Sequence, residues 1–335
     1  MIKNVEMSSY GPIEYLSCGE KLQNINLIIG ENGSGKTFFL KALYSAMRTI
    51  EQYQRDKEPK TDKDLLFDAL YWTFEARSLG DLVKKGKSML TFSMVSNEGE
   101  CFGYNFGTST QKAIQNLTNS FRPTTVNSLF IPAKEIVTIQ DIILKTYDED
   151  RAFGFDKTYV DLARALSKTL RGRNYKEFSI ARKSLYDAIG GKMAYDTVTK
   201  EWIFRDKERR EIQINLTSEG TKRLAILDSL LGIHYLTRNS VVIIDEAEAN
   251  LHPSMIGKFL EILIQLAKAG LQIFISSHSY FVIKKLYILA HKNRLSIPVI
   301  SFDNGKVTMS DLSAEMPDNP IINESIRLYE EEIQL

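Results

Sequence analysis

Gly30-Glu31-Asn32-Gly33-Ser34-Gly35-Lys36-Thr37 decides how this chain is read. The octapeptide follows an apolar run, Ile25 to Ile29, and opens a helix-like stretch, Phe38 to Met47. Strand, glycine-rich loop and helix are the context of the phosphate-binding pattern G-x-x-x-x-G-K-[ST], and every fixed position is filled. The spacing follows from chemistry. Glycines let successive backbone N–H groups turn toward one anion. The next helix adds unpaired N–H groups and the positive end of its dipole. Lys36 is placed to reach the β- and γ-phosphates, and the Thr37 hydroxyl to bind Mg²⁺. Gly30, Glu31, Asn32, Gly33, Ser34, Gly35, Lys36 and Thr37 are therefore the expected phosphate-binding residues.

The chain has 335 residues, enough for a large core with an appended lobe. Hydrophobic residues make up 43% and charged residues 25%, a globular composition that argues against disorder. A net charge of +1 argues against a uniformly basic nucleic-acid binder and leaves room for a local patch. Cys18 and Cys101 have neither metal-ligand spacing nor the look of a disulfide framework, which fits a reducing compartment. The first residues, Met1 to Glu6, contain no apolar signal core. Glu261, Gln265, Lys268 and Gln272 interrupt the most apolar stretch, Phe259 to Ile275, so it does not read as membrane-spanning. A cytoplasmic protein is expected.

Strand-like runs cover Ile2 to Met7, Ile13 to Leu16 and Ile25 to Ile29. The polar stretch Glu51 to Asp64 reads as a solvated loop. Strands are expected at Leu65 to Glu75, Ser88 to Val95 and Cys101 to Phe106, and a short helix at Gln111 to Phe121. Leu129 to Ile131 is an apolar strand stopped by Pro132. Helices are expected at Tyr159 to Leu170 and Phe178 to Ile189. The basic linker between them, Arg171 to Lys176, reads as an exposed connection in preference to a nucleic-acid contact. A hairpin, Met193 to Thr197 with Glu201 to Phe204, precedes a strand at Glu211 to Leu216. A helix then runs from Glu219 to about Leu236. No heptad is sustained and no repeat is present.

Val241-Val242-Ile243-Ile244 suits a strand buried on both faces of a parallel sheet. It ends in Asp245-Glu246, where such a strand meets a ligand crevice. This is a Walker B pattern: Asp245 holds Mg²⁺ and Glu246 polarises the attacking water. Gln272 to Ser276 is a second buried strand, and His278 just beyond it is placed to reach a γ-phosphate. Leu216 to Lys222 opens the helix before Walker B. Ser218 is a cap candidate, and Gly220 permits close approach of a phosphate to the backbone. As local chemistry, an ordinary N-cap explains that segment equally well.

Taken together, P-loop, Ser-x-Gly helix, apolar-Asp-Glu and histidine follow the order of the ABC-class ATPases. The segment Asp245-Glu246-Ala247-Glu248-Ala249-Asn250-Leu251-His252-Pro253 resembles the chromosome-maintenance and recombination-repair branch. It also resembles the ATPase half of OLD nucleases and related phage-defence ATPases. The resemblance spans roughly residues 1–50 and 200–305. It implies an α/β fold: a P-loop NTPase, ABC-ATPase head with a mixed β-sheet core and an α/β insertion lobe. The implied division is core at 1–50 and 200–310, inserted arm or helical lobe at 51–199, and a C-terminal helix at 311–335. It also implies ATP and Mg²⁺ as cofactors, and a Q-loop glutamine near the metal. Gln140 is the candidate, in competition with Gln111 and Gln115.

Two such heads would sandwich ATP, with Ser218 and Gly220 of one covering the γ-phosphate held by the other. Glu246 would act as general base and His278 as sensor. The residues after His278 are too few for a nuclease domain of ordinary size. The first expectation is therefore a phage-defence sensor or scaffold that self-associates and works with a separate effector such as a nuclease or toxin. The alternative is a DNA-repair or chromosome-type clamp on duplex DNA. A transporter subunit comes third, disfavoured by Leu251-His252-Pro253.

Overall fold

The computed structural model describes residues 1–55, 60–168, 175–196, 199, 201–303 and 305–335. The chain opens with β1 (Ile2–Tyr10), β2 (Ile13–Ser17) and β3 (Ile25–Gly30), followed by α1 (Lys36–Gln52) and α2 (Asp62–Phe74). Next come β4 (Met89–Ser96), β5 (Cys101–Gly107), β6 (Asn116–Asn119) and β7 (Leu129–Ile131). A lobe follows, with α3 (Gln140–Asp148), α4 (Lys157–Leu166), α5 (Lys176–Ile189), β8 (Gly191–Asp196), β9 (Glu201–Asp206) and β10 (Glu211–Gln213). The remainder is α6 (Glu219–Gly232), β11 (Val241–Ile244), α7 (Pro253–Lys268), β12 (Gln272–Ser277), α8 (Tyr280–Asn293), β13 (Pro298–Asp303), β14 (Lys306–Asp311) and α9 (Pro320–Ile333).

Among the described residues the central sheet has the order β14-β13-β3-β12-β11-β7. Its strands run parallel except β14, which pairs antiparallel with β13. Both faces are buried, and the side chains alternate between them. Leu27, Ile29, Val242, Ile244, Ile273 and Ile275 join the core beneath the lobe helices and α7–α8. Ile28, Val241, Ile243 and Phe274 join the core against α1, α2 and a second sheet. Period-two alternation with both faces covered explains why these strands read as unbroken apolar runs. The second sheet, β2-β1-β4-β5-β6, is antiparallel. Gln272 ties the two sheets together: Ile2 N–H donates to its Oε1 at 2.8 Å and its Nε2 donates to Ile2 O at 2.7 Å.

Two local expectations fail. Leu65 to Glu75 is helical, not extended. Thr61 caps α2, accepting from Asp64 N–H at 3.1 Å, and Leu65, Leu66, Ala69, Leu70, Trp72 and Thr73 bury one face at helical spacing. The aromatic-rich run imitated strand composition. Gln111 to Phe121 holds no helix; Asn116–Asn119 is extended and pairs with β5. Residues 51–199 also do not form one separate arm. β4, β5 and β6 extend the sheet begun by β1 and β2, and β7 is an edge strand of the central sheet beside β11. The lobe proper is α3–α5 with the small sheet β10-β9-β8. Arg171 to Asn174 of the basic linker lie outside the described residues.

Candidate functional site

β3 delivers the P-loop at the carboxyl end of the central sheet, and its first glycine is demanded by packing. Gly30 has φ 148°, and a Cβ there would stand 2.4 Å from the Phe302 carbonyl of the neighbouring β13. Lys36 begins α1, whose N-terminus carries no side-chain cap and no acidic residue in its first turn. Uncapped N–H groups at a helix N-terminus are a site suited to an anion. The Ser34 hydroxyl is buried without a hydrogen-bond partner in the same loop. Lys36 Nζ folds back to donate to Gly30 O at 2.7 Å and Glu31 O at 2.8 Å. Burial lowers its pKa, while Asp245, Glu246, Glu248 and Glu31 favour its charge. A loop with an unpaired buried hydroxyl, an uncapped helix start and a lysine held on its own carbonyls fits a nucleotide's phosphates. A cleft of about 160 Å³ lined by Pro12, Gly33, Gly35 and Phe38 adjoins it.

β12 separates β3 from β11, yet the strand ends converge. Thr37 Oγ1 donates to Asp245 Oδ2 at 3.1 Å and lies 3.3 Å from Oδ1. Ser276, at the end of β12, donates from Oγ to Asp245 Oδ1 and accepts from Glu246 N–H at 2.8 Å. Thr37 and Asp245 are thus a hard-oxygen pair suited to Mg²⁺. Glu246 follows with φ 49°, a left-handed conformation that costs free energy in a residue with a side chain and is held by the surrounding loop.

The loop after Glu246 is anchored twice by α6. The Arg223 guanidinium, buried on α6, donates to the carbonyls of Asp245, Glu246 (2.7 Å) and Ala249 (3.3 Å). Burial pushes its pKa down to about 10, with Asp245, Glu248 and Glu246 opposing that shift. Gly220 packs against the same loop: a Cβ there would meet Asn250 O at 2.5 Å and Leu251 Cδ2 at 2.8 Å. The need for glycine at 220 is therefore close packing on residues 250–251, not approach of a phosphate from the same chain. Ser218 is the N-cap of α6 and accepts from Thr221 N–H at 3.3 Å. Its hydroxyl is exposed and 2.8 Å from Thr221 Oγ1. His252 has an equally local task, capping α7 ahead of Pro253 at the first turn.

His278 follows β12, with its ring 44% exposed. Its backbone N–H donates to Glu248 Oε1 at 2.9 Å. Gln140 does not join the cluster. Its amide nitrogen donates to Ala163 O and Ser167 Oγ, both at 2.8 Å, and its oxygen accepts from Trp202 Nε1. Both ends of the amide are engaged within the lobe, so Gln140 does not serve the Thr37–Asp245 pair as a metal sensor. Gln111 and Gln115 line a different cleft beside β5 and β6. Arg223, Ser276 and Glu248 are the site residues that the sequence reading left without a role.

Residues 25–284 match the family described as "AAA domain, putative AbiEii toxin, Type IV TA system". No curated protein matches the chain. Among solved structures, an SMC head bound to the C-winged helix domain of ScpA aligns with a TM-score of 0.58. That pair is 11% identical, covering 93% of this chain and 99% of the other. The Smc head domain with an extended coiled coil, bound to the C-terminal domain of ScpA derived from Pyrococcus furiosus, gives 0.50. There the identity is 12%, over 97% of this chain and 99% of that one. The architecture is that of an SMC-type ATPase head, an α/β mixed-sheet core with helical insertions.

Proposed function

We propose, from the premise that the chain belongs to this AAA-domain family, that it works as an ATP-gated head which closes on a second copy of itself. The protein is a P-loop ATPase, cleaving ATP to ADP and phosphate. In the site, Thr37 and Asp245 would hold Mg²⁺, which supplies charge neutralisation at the β- and γ-phosphates. Lys36 exchanges its own-loop carbonyls for phosphate oxygens. Glu246 accepts the proton of the attacking water as the γ-phosphoryl group leaves ADP.

One observation carries the two-copy reading. The described side-chain hydrogen bonds of Ser218 reach no further than Thr221 on its own helix, and none extends to the P-loop of the same chain. A signature serine that is exposed and remote in its contacts is available to a neighbour. ATP held between two copies gives the closed pair an affinity that the open pair lacks, and hydrolysis removes it.

The output we infer is a clamp on duplex DNA, of the DNA-repair or chromosome type. The SMC-head architecture supports it. The phage-defence reading, with a separate nuclease or toxin as effector, draws support from the toxin–antitoxin description of the family. DNA-stimulated turnover that falls steeply with salt favours the clamp; turnover indifferent to DNA favours the effector reading.

Mixing tests the shared site. Lys36→Ala and Ser218→Arg chains, each inactive alone, should recover about a quarter of wild-type turnover when combined, because half of random pairs hold one intact site of two. No recovery on mixing refutes the two-copy site.

A further inference from the structure

Glu248 has no part in the chemistry described above, yet it is built into the site. Its side chain is only 11% exposed. Oε1 accepts from Ser277 Oγ and from the His278 N–H, each at 2.9 Å. The same oxygen stands 3.5 Å from His278 Nδ1. Oε2 is buried with no hydrogen-bond partner. A buried carboxylate with one idle oxygen is costly, and such a group calls for a reason.

The geometry points to Glu248 as the positioning residue of His278. The carboxylate already holds the Ser277 hydroxyl and the His278 amide, the two groups at which the ring is attached to β12. The present Nδ1 distance is longer than a good hydrogen bond, so a small rotation of the imidazole is what engages it. A ring held by Nδ1 turns Nε2 outward, because the two nitrogens lie on different edges of the imidazole. The exposed part of the ring is then the part that meets a γ-phosphate. The ring then spans Glu248 on one side and phosphate on the other.

The placement of Glu248 in the chain gives this contact a reach beyond one histidine. Glu248 lies in the loop whose carbonyls at 245, 246 and 249 are held by Arg223 and whose residues 250–251 pack on Gly220. A ring pulled toward phosphate therefore draws on the same loop that carries Glu246 and touches the signature helix. This inference deepens the proposed function and rests on its assignment of His278 to the γ-phosphate.

A double-mutant cycle tests it. Glu248→Ala, His278→Ala and the double variant are compared for kcat, for binding of a fluorescent ATP analogue and for melting temperature. Glu248→Ala should lower kcat at least tenfold with nucleotide affinity changed less than twofold. In the His278→Ala background the same substitution should lower kcat no further. Ring ¹⁵N spectra of histidine-labelled protein supply a direct readout. Wild type with a non-hydrolysable analogue should show the Nδ1 resonance of a ring hydrogen-bonded to a carboxylate, and Glu248→Ala should lose that signature. Should the Glu248→Ala chain not fold, Glu248→Gln, which keeps the volume and one acceptor, enters the same cycle with the same criteria. Losses that multiply in the double variant, or an unchanged His278 spectrum, overturn the inference. Glu246→Gln separates the two readings. If it turns over normally, the proposed site is wrong; if it stalls while the cycle is multiplicative, only the role of Glu248 falls.

Discussion

Arg223 offers the sharpest test of how the site is held. Replacing it with leucine removes the donors to three carbonyls of the loop after β11. Hydrogen bonds from a charged donor contribute about 1.5–3 kcal/mol each. The Ala249 contact, at 3.3 Å, is the weakest of the three, so roughly two strong bonds are lost. Against this, burial disfavours the guanidinium charge, pushing its pKa down to about 10, and an apolar side chain escapes that penalty. The balance is a loss of about 2–4 kcal/mol. For a chain of this size that is a fall in melting temperature of about 3–6 °C. Catalysis should suffer more than folding. Glu246 sits in the released loop in a left-handed conformation, and a misplacement of about 1 Å costs on the order of a hundredfold in rate. Calorimetry and steady-state ATP hydrolysis at saturating nucleotide check the two halves. Arg223→Leu melting within about 1 °C of wild type with unchanged kcat would refute the anchoring argument. So would a destabilised variant with wild-type kcat, since the loop would then keep its geometry without the guanidinium.

Glu246→Gln should lose about 10²–10⁴-fold in turnover, keep nucleotide binding and accumulate as an ATP-bound dimer, read by mass measurement with and without ATP. Gly220→Ala should cost about 1–3 kcal/mol because its Cβ meets a backbone carbonyl at 2.5 Å, and turnover should fall with it; unchanged melting would mean residues 250–251 yield freely. Asp161→Asn should cost about 3–5 kcal/mol at pH 7, as Arg48 Nε donates to Asp161 at 3.1 Å in a buried setting. Burial raises the Asp161 pKa, but Arg48 and Lys157 more than offset it, so the net shift is downward. A carboxyl held below its unfolded value stabilises the fold above about pH 4, and that contribution disappears as pH falls through the lower folded value. The acid-unfolding curves of wild type and variant should therefore converge below about pH 4.

What could be read from sequence was what depends on neighbours along the chain. The P-loop is one uninterrupted octapeptide between a strand and a helix, and Val241 to Glu246 carries both its strand and its chemistry in six residues. α2 was misread because Tyr71, Trp72 and Phe74 resemble strand composition, while the deciding signal, Thr61 with Asp64 three residues on, sits in a polar stretch that looked like loop. Gln140 failed for a different reason. Its position after β7 suited a metal sensor, and only the fold shows Ala163, Ser167 and Trp202 taking its amide. The division at residue 51 erred because strands β4 to β6 belong to a sheet started by residues 2–17, a pairing no local pattern announces.

Arg223 shows where local reading must stop. Its partners lie 22 to 26 residues further along the chain, and they are carbonyls, which every residue has. No residue type marks them in a sequence. The same holds for Gly220, whose small size answers to the backbone of Asn250, and for Glu248, whose partners lie at the end of the next strand. All three converge on residues 245–251. One short loop thus carries Glu246, the proposed general base, packs on α6 and holds the end of β12 where His278 begins. Such a loop cannot shift at one contact without straining the others, because Arg223 and Gly220 hold it to α6 while Glu248 holds it to the end of β12. That makes it the natural carrier of a two-state signal between phosphate and neighbour. It also explains the unusual backbone at Glu246: the conformation is affordable where α6 and the end of β12 impose it together. Loosening either of them should relax Glu246 before it unfolds the sheet, so catalytic loss should precede loss of the fold.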